Sequence, residues 1–82
     1  MYEVRLTQTS ERQLKKLDKP VQERIILLLE RIRINPIPHV KRLAGQQYYR
    51  LRAGDYRIIL QIEQEKLLIL VIEIGRRENI YD

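Results

Sequence analysis

Tyr48-Tyr49-Arg50-Leu51-Arg52-Ala53-Gly54-Asp55-Tyr56-Arg57-Ile58-Ile59-Leu60-Gln61-Ile62 is the stretch whose reading decides the fold. Up to Ala53 the pattern has a period of two. Tyr49, Leu51 and Ala53 alternate with Tyr48, Arg50 and Arg52, as in a strand buried on one face. Gly54-Asp55 is a tight-turn signal. Beyond it the period of two resumes, with Tyr56, Ile58, Leu60 and Ile62 on one face and Arg57, Ile59 and Gln61 on the other. The stretch is predicted to be an antiparallel hairpin with one apolar and one basic face.

Downstream, Gln64-Glu65-Lys66 makes a second turn, and Leu67 to Ile74 is apolar on both faces, which marks a central strand. Upstream, the period changes to 3.6. Val21, Ile25, Leu28, Leu29 and Ile32 fall on one stripe of a helix. Asp18 can cap that helix, and Pro20 is tolerated in its first turn. Asn35-Pro36 ends it, because Pro disfavours helical geometry in the residue before it. The segment from Pro36 to Gly45 reads as a loop. Before the long helix, Ser10 followed by Gln13 is a capping-box pattern for a first helix, with Leu14 and Leu17 on its inward side. Tyr2, Val4 and Leu6 alternate with Glu3 and Arg5 as a half-buried strand. The predicted order is β-α-α-β-β-β. The expected fold is α+β, a small, mostly antiparallel sheet with an N-terminal helical hairpin packed on one face, forming one domain over residues 1–82.

The 82 residues suit one domain. Cysteine is absent, so disulfide and thiolate chemistry are unavailable, in keeping with a reducing cytoplasm. A single histidine, His39, cannot build a metal site by itself, and neither metal nor cofactor is expected. Met1 leads directly into the first alternating run, with no signal-peptide pattern, and the longest apolar run is far short of the ~20 residues a membrane helix needs. No membrane association is expected. Sixteen Lys and Arg oppose eleven Asp and Glu, a net charge of +5, which suits a polyanionic partner. Between Lys41 and Arg57 there are five basic residues and one acidic residue, Asp55. Some apolar surface is left over: Leu27 and Ile34 lie off the main stripe of the second helix, and Ile59 faces away from the helices. Such surface points to a protein partner.

Arg50, Arg52 and Arg57 share the face opposite the core side chains, and the segment after Ile74 adds Arg76, Arg77 and Tyr81. If that segment folds back along the sheet, five arginines and a tyrosine converge on one patch. Guanidinium groups suit phosphate because their fork donates two hydrogen bonds at once. Tyrosine can stack on a base or take part in proton transfer.

Three runs carry a family resemblance: Leu43-Ala44-Gly45, then Tyr49 to Ile58, then Ile74-Gly75-Arg76-Arg77-Glu78-Asn79-Ile80-Tyr81. They are similar to the signature of the RelE/ParE toxin superfamily, and the terminal Arg77…Tyr81 segment favours its RelE-like branch. The resemblance covers essentially the whole chain. It implies a ribosome-dependent endoribonuclease that cleaves mRNA by 2′-hydroxyl attack on the scissile phosphate, without metal. It also implies silencing by a cognate acidic antitoxin, with higher-order toxin–antitoxin complexes as a further expectation.

Carried over by position, Arg50 and Arg52 contact the scissile phosphate, Arg57 stabilises the transition state, Arg77 assists the leaving group, and Tyr81 stacks on a base and helps activate the nucleophile. Lys41, Arg42 and Arg76 join the phosphate-binding set. Relatives often have His or Lys where this chain has Arg76, and lysines where it has Arg50 and Arg52. Tyr81, Glu78 and His39 are then the general-base candidates. The alternative functions are a ParE-like DNA gyrase inhibitor without enzymatic activity, and a catalytically weak homologue that binds an antitoxin.

Overall fold

The structure is a computed structural model and describes residues 1–43 and 47–76. Strand β1 (Glu3–Leu6) is followed by helices α1 (Gln8–Lys15) and α2 (Lys19–Ile32), a 3₁₀ turn at Ile37–His39, and strands β2 (Lys41–Arg42), β3 (Tyr48–Ala53), β4 (Tyr56–Glu63) and β5 (Leu68–Arg76). The strands form one sheet in the order β1-β5-β4-β3-β2. Among the described residues, only the β1–β5 pair is parallel and the other pairs are antiparallel. This is the predicted α+β arrangement, with one strand more than the sequence reading gave. The segment read as a loop from Pro36 contains the 3₁₀ turn and β2, whose Lys41 and Arg42 pair with Arg50 and Tyr49. Two residues are too few for a periodic pattern, so the pairing is visible only in the folded chain. No helix is long and apolar enough to cross a membrane, among the described residues.

The α2 stripe folds as expected. Ile25 and Ile32 are fully buried and Leu29 nearly so, against Leu51, Ala53, Ile58, Leu60, Ile69, Val71 and Ile74 of the sheet. Each buried aliphatic side chain of this size contributes about 1.5–3 kcal/mol. The start of β1 is locked to the end of α2: Tyr2 N–H donates to the Arg33 carbonyl at 2.8 Å, and Arg33 Nε donates to the Tyr2 carbonyl at 2.8 Å. Asp18 stands at the N-cap of α2 without a side-chain cap bond. Gln22 Nε2 instead closes the α1–α2 connection by donating to the Leu17 carbonyl at 2.7 Å.

The N-terminus of α1 differs from the sequence reading. Its cap is Thr7, whose hydroxyl accepts from Ser10 N–H at 3.1 Å. Ser10 lies inside the first turn and is fully buried. The reason lies across the sheet. The β4–β5 pairing is in register up to Leu60–Val71 and resumes at Ile59–Glu73, which leaves Ile72 as an extra residue in β5, a β-bulge. The Val71 carbonyl accepts from Thr7 N–H (3.1 Å) and Ser10 Oγ (2.9 Å), and the Ile72 carbonyl accepts from Thr7 Oγ1 (3.2 Å). Further along, Ile74 N–H donates to Gln13 Oε1 at 2.7 Å. Ser10 and Gln13 therefore bond to β5 rather than forming a capping box with each other.

The β4–β5 turn ends on Leu67 at φ +50°, a left-handed conformation that costs an ordinary side chain about 1–2 kcal/mol. Its N–H donates to the Gln64 carbonyl, and its carbonyl accepts from Glu3 N–H. Arg5 hydrogen-bonds the Glu3 carboxylate at 2.8 Å and holds it below the usual carboxylate range, on an exposed part of the edge strand.

Two stability measurements test this account. Ser10→Ala leaves the Val71 carbonyl short of a buried donor and is expected to cost about 1–3 kcal/mol in urea unfolding. Leu67→Asn, which keeps the turn but tolerates the left-handed region, is expected to gain about 1 kcal/mol in the same assay.

Candidate functional site

The face of the sheet turned away from the helices carries the candidate site. Cross-strand pairing settles which side chains share it. Tyr49, Leu51 and Ala53 pair with Leu60, Ile58 and Tyr56 on the helix side, so Tyr48, Arg50 and Arg52 point the other way. Arg52 stands directly opposite Arg57, and Arg50 opposite Ile59. On the outer side, Lys41 pairs with Arg50 and joins the same face. Lys41, Arg50, Arg52 and Arg57 thus form one basic field across β2, β3 and β4.

Two of the predicted residues lie elsewhere. Arg42 pairs with Tyr49, whose ring packs on the core, so Arg42 belongs to the helix side of the edge. Arg76 pairs with Tyr56 and sets its guanidinium 5.5 Å from the centre of that ring, a cation–π contact, also on the helix side. The cause for Arg76 is the bulge. Ile69 and Val71 are core residues, and so is Ile74 three positions later, so alternation changes phase at Ile72. Even-numbered residues face the helices after it, Arg76 among them. Arg77, Tyr81 and Glu78 lie outside the described residues, as do Ala44 and Gly45.

Within the field the side chains differ in exposure. Lys41 and Arg52 are exposed and Arg50 half-buried, whereas Arg57 is only 8% exposed. A cation withdrawn from water acts on a neighbouring anion through a lower effective dielectric than a surface cation does. Arg57 sits opposite Gly75, which offers no side chain on that face. Ile59, expected as leftover surface, does face away from the helices but is 7% exposed, so it forms part of the floor beneath the arginines. Leu27 and Ile34 are exposed as expected, at 66% and 75%.

The sequence reading missed one residue. Glu73 pairs with Ile59 and is exposed on the basic face, diagonal to Arg57. Simple alternation from Ile69 and Val71 would have placed it inward, so only the bulge reveals it. Among the described residues, no three His, Cys, Asp or Glu side chains gather as a metal site would need.

A second concavity of about 550 Å³ lies between α2 and the β3–β4 hairpin, lined by Arg24, Leu27, Leu28, Arg31, Arg52 and Ala53 among others. The hairpin turn needs its glycine. Gly54 has φ +60°, and a Cβ there would stand 2.8 Å from Arg24 Nη1.

Comparison with known proteins matches residues 4–81 to the ParE toxin of the type II toxin–antitoxin system parDE. The chain belongs to this family, part of the RelE/ParE superfamily. It is 32% identical over 81 residues to a candidate RelE-like toxin protein of Escherichia coli, covering 95% of this chain and 85% of that one. Among solved structures, the toxin is similar to a chain of the intact E. coli RelBE toxin–antitoxin complex, with a TM-score of 0.78 and 25% identity, covering 93% of this chain and 96% of that one. It also resembles a chain of the archaeal RelE–RelB complex from Pyrococcus horikoshii, with a TM-score of 0.83 and 24% identity, covering 96% and 98%. At that identity the archaeal likeness is one of fold.

The exposure difference within the basic field yields a measurable contrast. For a single-stranded RNA oligonucleotide titrated at several salt concentrations, Lys41→Ala is expected to weaken binding uniformly across sequences and to lower the salt slope by about 0.7.

Proposed function

We propose that this toxin is a ribosome-dependent endoribonuclease that cleaves mRNA in the cytoplasm, by attack of a ribose 2′-hydroxyl on the adjacent phosphate. The observation that carries the reading is Arg57, a nearly buried arginine that shares its sheet face with the more exposed Arg50, Arg52 and Lys41 of the neighbouring strands. Exposed cations recruit and align a polyanion. A pre-positioned, partly desolvated one stabilises charge that grows on the phosphate as the reaction proceeds. Arg50 and Arg52 would hold the phosphates on either side, and the ribosome would orient the substrate, so that positioning supplies much of the rate. Arg77 and Tyr81 remain in the proposal in the roles the family resemblance implies, Arg77 assisting the leaving group and Tyr81 stacking on a base and helping to activate the nucleophile. Arg42 and Arg76, on the helix side of the sheet, are given no part at the scissile phosphate.

The toxin's partner in this reading is an acidic antitoxin. The groove between α2 and the β3–β4 hairpin supports it: its lining includes Arg24 and Arg31 of α2 against one acid, Glu23, and an exposed Leu27. An amphipathic acidic segment would match both its charge and its apolar wall. The solved complexes of RelE with RelB are consistent with such a partner.

The family match to a parDE toxin favours one second reading, a gyrase inhibitor that acts by protein contact alone. Translation in a reconstituted system, with primer extension on the mRNA, separates the two. The expected outcome is cleavage at defined positions in the presence of ribosomes, slowed by about 10²–10³ in Arg57→Ala while ribosome association is kept. Intact mRNA together with inhibited gyrase would establish the second reading instead.

A further inference from the structure

We propose that Glu73 is the general base of the cleavage reaction, taking the proton from the attacking 2′-hydroxyl. The inference rests on the endoribonuclease reading above and adds a residue to it.

The argument begins with the shape of β5. Bulges recur next to active sites, where they re-aim a side chain. Here the bulge at Ile72 moves Glu73 from the helix side, where alternation from Ile69 and Val71 would put it, to the basic face. The change is held in place by α1, because Thr7 and Ser10 satisfy the two carbonyls on either side of the extra step. An acidic side chain has been turned outward into a field of cations.

Glu73 is also available there. Among the described residues, the other carboxylates of this face sit at the far end of the sheet and are engaged, Glu3 with Arg5 at 2.8 Å and Glu63 with Lys66 at 3.5 Å. Among the described residues Glu73 makes no ion pair, although it shares a face with Arg57. Diagonal neighbours on paired strands stand about 7–8 Å apart. In the proposed step one ribose and its 3′-phosphate lie between the two side chains, with the 2′-hydroxyl toward Glu73 and the phosphate toward Arg57. The arginines of this face are no comparable base, since arginine effectively never gives up its proton, and Lys41 stands on β2, two strands away from Arg57.

The step balances. Glu73 accepts the proton of the 2′-hydroxyl as its oxygen bonds to phosphorus, and the bond from phosphorus to the 5′-oxygen breaks. The departing 5′-oxygen takes a proton from solvent or a neighbouring acid. The products are a 2′,3′-cyclic phosphate and a 5′-hydroxyl. Arg57 bears the charge on the non-bridging oxygens throughout.

The test is single-turnover cleavage on programmed ribosomes, with RNA binding measured separately. General-base removal typically costs 10²–10⁴. Glu73→Gln is therefore expected to slow cleavage by about 10²-fold or more, while RNA binds equally or more tightly because a negative charge has left a basic face. A merely structural role would weaken binding and cleavage together. Glu73→Ala supplies a second readout: added formate should restore part of its cleavage and leave the wild type and Arg57→Ala unchanged. Cleavage by Glu73→Gln within about threefold of wild type, parallel loss of binding, or no response of Glu73→Ala to formate would overturn the assignment. If the wild type cleaves and Arg57→Ala is slow, such a result removes Glu73 alone. If the wild type leaves mRNA intact, the endoribonuclease reading falls with it.

Discussion

Two adjacent peptide carbonyls, those of Val71 and Ile72, set the arrangement of this toxin. In a regular strand successive carbonyls point to opposite sides, and each finds a neighbouring strand. Here both are bonded from the side where β1 has ended at Leu6, so no strand can take them. A buried carbonyl without a donor is costly. The first turn of α1 meets the need with a backbone N–H and two hydroxyls, from Thr7 and Ser10. The position of α1 against β5 and the outward turn of Glu73 both depend on that one set of bonds.

The same set explains what could and could not be read from the sequence. The β3–β4 hairpin was legible because its two faces differ in kind, apolar against basic, and a period of two admits only one register for such a contrast. The α2 stripe was legible for the equivalent reason at a period of 3.6. β5 was legible as a central strand but not as a bulged one. Its residues from Leu67 to Ile72 are all apolar, so a change of phase leaves no mark in the pattern. Arg76 was therefore assigned without knowledge of its side, and Glu73 was not assigned at all. Ser10 and Gln13 sit at a spacing that suits a cap, yet they are used to bond β5, a distinction that depends on a residue more than sixty positions away.

The candidate site shows a similar division. Residue type and alternation brought Arg50, Arg52 and Arg57 together, and the structure keeps them together. What alternation could not supply was depth. Arg57 and Ile59 face the open side and are nevertheless buried, while Arg52, directly opposite Arg57, is exposed. Depth is what distinguishes the roles proposed for these two arginines, and it is a property of neighbours rather than of sequence period.

The parallel pairing of β1 with β5 has a consequence for how the toxin comes into being. Glu3 to Leu6 pair with Leu68 to Val71, a separation of 65 positions in the chain. Contacts of that span close late, since the loop entropy must be met before the pairing returns anything. During synthesis, β1 and α1 leave the ribosome with no partner, and the carbonyls they will serve do not yet exist. The basic face acquires its final geometry only after residues 68–76 have been made and have paired with β1 and β4.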